Sequence, residues 1–200
     1  MIISFEGGEG VGKTTQVRHL CAYLDQHGLP RLSFREPGGS ELFEKIRNIF
    51  LHQQLDPMSE LLLILAGRRE NICEIIEPAL EQNKIIVIDR FIDSTLVYQG
   101  IVGGLGLEMV DKIMIATRTY LEPDLTFVLD MDASDALSRI TPRDRFEQRD
   151  LQYHLRIRDA FVRIATRGRH HLLDAKRGKE DISQEVGRIV NELLMNYPSI

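Results

Sequence analysis

An α/β fold of three layers, helices on both faces of a five-stranded parallel sheet, is predicted by two features of this 200-residue sequence. Short apolar runs alternate with stretches of helical periodicity, as parallel strands joined by helical crossovers require. The segment Gly7-Gly8-Glu9-Gly10-Val11-Gly12-Lys13-Thr14 also follows directly on the first apolar run, with the spacing of a loop that wraps phosphate between a strand and a helix.

Met1 to Phe5 is the first strand, apolar enough to be buried on both faces. A helix opening near Lys13 carries Val17, Leu20, Cys21 and Leu24 at helical spacing until Gly28 stops it. Arg31 to Arg35 is a short second strand, halted by Pro37-Gly38-Gly39. Ser40 can cap the next helix, which holds Leu42, Ile46, Ile49 and Phe50, and another runs from about Ser59 to Leu80. Ile85 to Ile88, ending in Asp89, reads as a central strand. Leu125 to Met131 and His171 to Leu173 supply the last two. No repeat, low-complexity tract or linker is visible, so one domain over residues 1–200 is expected.

One stretch breaks the apolar rhythm. Residues 139–149 read Arg-Ile-Thr-Pro-Arg-Asp-Arg-Phe-Glu-Gln-Arg, a solvated, mobile loop by composition. Beside a phosphate loop such arginines suit a closing lid that neutralises a transferring phosphoryl group.

Composition narrows the function. A net charge of −5 and a pI near 5.7 argue against a non-specific grip on nucleic acid, so any basic site is a local pocket. Cys21 and Cys73 sit in apolar helical patterns without metal-ligand spacing and read as buried thiols. Neither a targeting segment nor an apolar stretch of about 18 residues is seen, which points to a soluble cytoplasmic protein with no membrane partner.

The glycines of residues 7–14 let successive main-chain N–H groups turn into one concavity, and the helix behind them adds its positive dipole end. Lys13 is expected at the β- and γ-phosphates of a nucleoside triphosphate, with the Thr14 hydroxyl on Mg²⁺. Regulatory GTPases need an Asn-Lys-x-Asp base reader, but Asn83-Lys84 is followed by Ile85-Ile86. Partition-type ATPases carry a signature lysine early in the loop, where Gly8 stands. A kinase of a small acceptor remains, because Arg90 lies at the carboxyl end of a central strand where open α/β sheets bind ligands. Arg35 ends another strand and Arg47 lies one helix on. The three could converge on an acceptor phosphate, or each could form a surface ion pair with Glu36, Asp89 or Glu44.

Three blocks, in order, complete the pattern: Phe5-Glu6-Gly7-Gly8-Glu9-Gly10-Val11-Gly12-Lys13-Thr14-Thr15-Gln16, Arg35-Glu36-Pro37-Gly38-Gly39, and Asp89-Arg90-Phe91-Ile92-Asp93-Ser94-Thr95-Leu96-Val97-Tyr98-Gln99-Gly100. With the arginine-rich lid and Leu173-Asp174-Ala175, they make the whole chain resemble the bacterial thymidylate kinases, which have a P-loop NTPase fold.

The resemblance implies transfer of the γ-phosphoryl group of ATP to dTMP with Mg²⁺, a step in dTTP synthesis for DNA replication, by a homodimer. ATP would lie on Gly7, Gly8, Glu9, Gly10, Val11, Gly12, Lys13, Thr14 and Thr15, with Arg139 stacked on adenine and the segment after Asp174 near the same base. Arg90, helped by Arg35 and Arg47, would hold the dTMP phosphate. Asp89 would orient metal-bound water or the acceptor, unless it is a partner of Lys13; Thr14, Asp89 and Glu36 form the implied metal set. Glu36 would lie near the sugar and Pro37 beside it, after a peptide bond that relatives suggest is cis. Arg68 matches a thymine-reading arginine, its alternative being an exposed helix charge beside Arg69. Thr95 and Gln99 would face the polar edge of the base and Tyr98 the deoxyribose. Ile64 departs from the family, since many relatives stack an aromatic ring there. Gly10 stands where some members place a loop arginine, so Arg143 and Arg145 of the lid would supply that charge. The helices at Ser40 to Leu51 or Ser59 to Leu80 could carry the dimer face.

Overall fold

The structure, a computed structural model, describes residues 1–142, 144–166 and 168–196. In chain order these form β1 (Ile2–Glu6), α1 (Lys13–Gln26), β2 (Arg31–Arg35), α2 (Glu41–His52), α3 (Pro57–Asn71), α4 (Glu77–Glu81), β3 (Ile85–Asp89), α5 (Ile92–Thr95), α6 (Leu107–Ala116), β4 (Leu125–Asp130), α7 (Ala133–Leu137), α8 (Leu151–Ile164), β5 (His170–Asp174) and α9 (Lys179–Asn196). The five strands lie parallel in the order β2-β3-β1-β4-β5.

The apolar runs are continuous because β1, β3 and β4 are covered on both faces. Ile3, Phe5, Phe127 and Leu129 pack with Leu20 and Leu24 of α1 and with Ile182, Val186 and Val190 of α9. On the opposite face Ile86 and Ile88 meet Leu61 and Leu65 of α3 and Val110 and Met114 of α6. The three-layer expectation is met.

Helix boundaries differ in places. Ser40 does cap α2, its hydroxyl accepting from the Phe43 N–H at 3.3 Å. The helix expected from Ser59 starts instead at Pro57 under an Asp56 cap, and a π-helical turn at Ile72–Ile76 separates α3 from α4. Asp56 accepts from the Met58 N–H, and proline at the first helical position needs no N–H partner. A second π-helical segment, Leu96–Val102, continues α5. Of the cysteines, Cys21 is buried but Cys73 is exposed, because it lies in that first π turn, where helical spacing no longer sets its face.

Candidate active site

Register brings three strand ends together. Phe5 pairs with Asp89, and Asp89 with Arg35, so the chain leaving β1, β2 and β3 opens on one cleft of about 740 Å³. The phosphate loop forms one wall. Gly10 has φ 73°, and a side chain there would run into the Ala136 carbonyl; this backbone leaves no room for a loop arginine. The N-terminus of α1 faces the cleft, and Thr14 Oγ1 donates to Asp89 Oδ2 at 2.5 Å. Lys13 Nζ is folded back onto the Gly8 carbonyl at 2.5 Å. Burial, aided by Arg90, lowers its ammonium to about 8 against the pull of Glu9, Asp89 and Glu6. Asp89 is thus bonded to Thr14, not to Lys13.

Arg90 anchors the facing wall from a left-handed backbone, φ 67°, a conformation of the kind that clusters at functional sites. Its N–H is tied to the Phe5 carbonyl at 2.9 Å, and Nη1 donates to the Gly7 carbonyl at 2.9 Å. Nη2 lies 2.8 Å from Glu9 Oε1, and Tyr98 donates its phenolic proton to that same oxygen at 2.8 Å. Burial opposes the Arg90 charge, but Glu9, Tyr98, Asp89 and Glu6 together outweigh it and raise the guanidinium further. Burial likewise opposes the Glu9 charge, yet Arg90, Lys13 and Tyr98 hold that carboxyl at about 2. Glu9 therefore joins the loop by its main chain and the Arg90 wall by its side chain.

Arg35 and Arg47 also line the cleft. Arg47, lowered first by burial and next by Arg35, with Arg90 contributing, donates to the Pro37 carbonyl at 2.6 Å. Arg35 is more than half exposed and lies 3.3 Å from Glu44, so the surface pair and the converging arrangement coexist. The Glu36-Pro37 bond is cis.

Arg68 is no exposed helix charge. It is 1% exposed, lies 2.7 Å from Glu36 and donates to Thr95 Oγ1 at 2.9 Å. Asn71 takes the other Glu36 oxygen at 3.1 Å. Both Glu36 oxygens are hydrogen-bonded, one to Arg68 and the other to Asn71, as a buried carboxylate requires. Among the described residues no group of three acidic, histidine or cysteine side chains could hold a metal. Thr14 and Asp89, adjacent oxygen donors, fit a cation that takes its remaining ligands from phosphate and water.

Ile64 is buried among Phe43, Ile46, Phe50 and Phe146. Gln99 donates to Glu60 at 3.0 Å. Arg139 is exposed at the rim of the cleft, near Ala175 and Arg177. The lid is less solvated than its composition suggests: Phe146 stacks on Phe50 with ring centroids 5.1 Å apart and Arg145 lies 2.6 Å from Glu60. Arg145 also donates to the Phe50 carbonyl at 2.7 Å and does not line the cleft, because its guanidinium is held over the Phe50 and Phe146 rings. Arg143, expected beside it, lies outside the described residues.

A family model described as thymidylate kinase matches residues 5–186. The chain belongs to the thymidylate kinase family. The thymidylate kinase of Symbiobacterium thermophilum is 39% identical over 201 residues, covering 97% of this chain and 94% of that protein. That of Ehrlichia chaffeensis is 42% identical over 188 residues, covering 91% and 92%. A crystal structure of thymidylate kinase from Ehrlichia chaffeensis superposes with a TM-score of 0.77 at 37% identity, covering 95% of this chain and 98% of that one.

Glu6 holds a place in this site that no motif in the sequence assigns to it. Its Oε1 accepts from the Phe91 N–H at 2.7 Å and its Oε2 from the Ser94 hydroxyl at 2.6 Å, while Ser94 Oγ accepts from Arg90 at 3.2 Å. The carboxylate thus fixes the turn that aims Arg90. Burial and the neighbouring Asp93 push it up to about 7, against Ser94, Arg90 and the Phe91 N–H. An acidic residue inside an otherwise apolar strand was the available signal. Glu60 and Asn71 gave none, since each sits in a helix whose polar positions look alike in sequence.

Proposed function

We propose that the chain transfers the γ-phosphoryl group of ATP to dTMP in one in-line step, giving dTDP and ADP, without a phosphoenzyme. The observation that carries this reading is the hydrogen bond from Arg90 to the Gly7 carbonyl, which puts the arginine of one wall against the loop of the other. Both substrates are anions, so catalysis rests on positioning and charge neutralisation rather than on a protein nucleophile.

On this reading the loop N–H groups and the α1 terminus cradle the donor phosphates. Lys13 moves from the Gly8 carbonyl to the transferring group, whose negative charge reverses the lowering of its ammonium. Thr14 and Asp89 hold Mg²⁺, which when bound neutralises charge on the phosphate oxygens. Arg90, with Arg47 and Arg35, holds the acceptor phosphate. Arg68 donates to a carbonyl oxygen of thymine, Ile64 packs on the base, and Tyr98 closes the space that a 2′-hydroxyl would occupy. Arg139 covers the adenine. Lid arginines Arg143 and Arg145 add charge to the transferring group; for Arg145 this requires leaving Glu60.

The reading includes a single domain, a cytoplasmic location and a homodimer. No helix among the described residues is long and apolar enough to cross a membrane. Leu42 and Ile49 of α2 and Leu62 of α3 are exposed and apolar, a face suited to a second copy.

An acceptor screen tests the activity: ADP formation from ATP and Mg²⁺ with dTMP, dUMP, UMP, dCMP, AMP, GMP or thymidine. The expected result is turnover with dTMP well above every other acceptor. Acceptor-independent ATP hydrolysis, or a preference for another nucleotide, overturns it.

A further inference from the structure

The base-reading end of the cleft contains an amide whose orientation is fixed from behind. Gln99, 2% exposed and lining the cleft, donates through Nε2 to Glu60 Oε2 at 3.0 Å. A carboxylate offers hydrogen-bond acceptors only, so the amide can meet Glu60 only through its NH₂ group. The opposite limb, Oε1, has no hydrogen-bond partner among the described residues. Glu60 is buried on α3 behind the cleft wall, and its second oxygen is held by Arg145 at 2.6 Å. The lid arginine is fixed in turn by the Phe50 carbonyl and by the Phe146 ring, 4.1 Å away. One chain of charge-assisted contacts therefore runs from the lid to the amide: Arg145, Glu60, Gln99.

We infer that Glu60 is a specificity-determining positioning residue: by holding the Gln99 NH₂ group, it makes Gln99 present an acceptor to the base and so selects a pyrimidine with a proton on ring N3. Thymine and uracil carry that proton; cytosine has a lone pair at the same atom and would leave two acceptors face to face. A site built around a defined donor or acceptor rejects the mismatched ligand strongly, because its own polar group is then left unpaired. On the same reading Arg68, a pure donor, meets a carbonyl oxygen of the base and not the ring N–H, so the two discriminations are separable. The inference rests on the proposed reading of the cleft as the dTMP site.

The arrangement also explains a feature for which a single pair has no need. An amide facing a neutral partner could rotate by half a turn at little cost, exchanging donor for acceptor. An ionised Glu60 removes that freedom, since a carboxylate behind Gln99 is a pure acceptor whether or not Arg145 stays on its other oxygen.

The test compares kcat/KM for dTMP with kcat/KM for dCMP in wild type and in Glu60→Gln. A glutamine at 60 can meet Gln99 with either limb, so both amide orientations become available while packing volume is retained. The dTMP-to-dCMP ratio is expected to fall by about tenfold or more. Residual discrimination is the share of Arg68. Glu60→Asp, which keeps the charge for Arg145 but draws the carboxylate back by one methylene, gives a second measurement and the same direction of change. A merely structural Glu60 would lower both kcat/KM values together, with the ratio unchanged; that outcome in either folded variant overturns the inference. Wild type failing to use dTMP would instead overturn the reading beneath it, so the two failures are distinguishable.

Discussion

Arg90 donates to the main-chain carbonyl of Gly7 across 2.9 Å, although 83 residues separate them in sequence. The bond is charge-assisted, and the carboxylate of Glu9, the second residue after Gly7, forms an ion pair with the same guanidinium at 2.8 Å. The loop and the arginine therefore hold each other in place.

Lys13 is the residue whose present partner is weakest relative to its proposed one. Lys13→Met removes the charge while keeping an unbranched side chain in the buried stem position. Turnover should fall by ~100-fold or more, the scale seen when one preorganised donor to a transition state is lost. The dTMP dissociation constant should stay within about threefold, since Arg90 and Arg68 lie on the other wall. Steady-state ADP release and titration calorimetry measure the two quantities, and near-normal turnover would remove Lys13 from its role.

Arg68 and Glu36 form a buried pair, 1% and 2% exposed. Arg68→Ala leaves the Glu36 carboxyl without its main partner in a site where burial already raises it against Arg68 and Asn71. The expected loss of stability is ~3–5 kcal/mol, read from chemical denaturation, together with a higher dTMP requirement. Adding Glu36→Gln to Arg68→Ala should recover part of the stability. If the double variant is no more stable than the single, the pair is not the source of the loss.

Glu6 sets a pH dependence. Its folded carboxyl is raised to about 7 from an ordinary 4.5, so the folded state holds its proton more tightly than the unfolded chain. The stability this gives is complete below about 4.5 and is lost as pH rises through about 7. Lys13, lowered to about 8 from 10.5, acts in a higher window, its share being lost as pH falls through about 8, and Glu9, held at about 2, acts below 4.5. Denaturation midpoints between pH 5 and about 7.5 should therefore decline in wild type and lose most of that slope in Glu6→Gln. Parallel profiles for the two proteins would show that Glu6 is not the titrating group.

The sheet was legible because burial on both faces leaves uninterrupted apolar runs, as at Ile85–Asp89, and because the glycines of residues 7–14 have few other uses. The positions of the glycine-rich loop and of Arg90 at a strand end were legible for the same reason. What was not legible is how charged residues pair inside the molecule. Arg68, Glu36, Glu60 and Arg145 have the composition of a surface, and only their long-range partners decide that they are buried. Phe146, alone among arginines, gives no periodicity, yet it joins the cluster around Ile64. The π-helical turns at Ile72–Ile76 and Leu96–Val102 shift the helical phase without a sequence mark of their own.

Asp89 and Arg90 are neighbours in the chain, one bonded to Thr14 and the other to Gly7 and Glu9. On the proposed reading a single peptide unit thus separates the metal-holding group from the group that grips the acceptor. Covalent geometry ties their Cα atoms together, and the contacts to Thr14, Gly7 and Glu9 hold the two side chains that project from them. Neither anchor touches the described residues of the arginine-rich segment, so movement of that segment can govern solvent entry and charge while both stay in place.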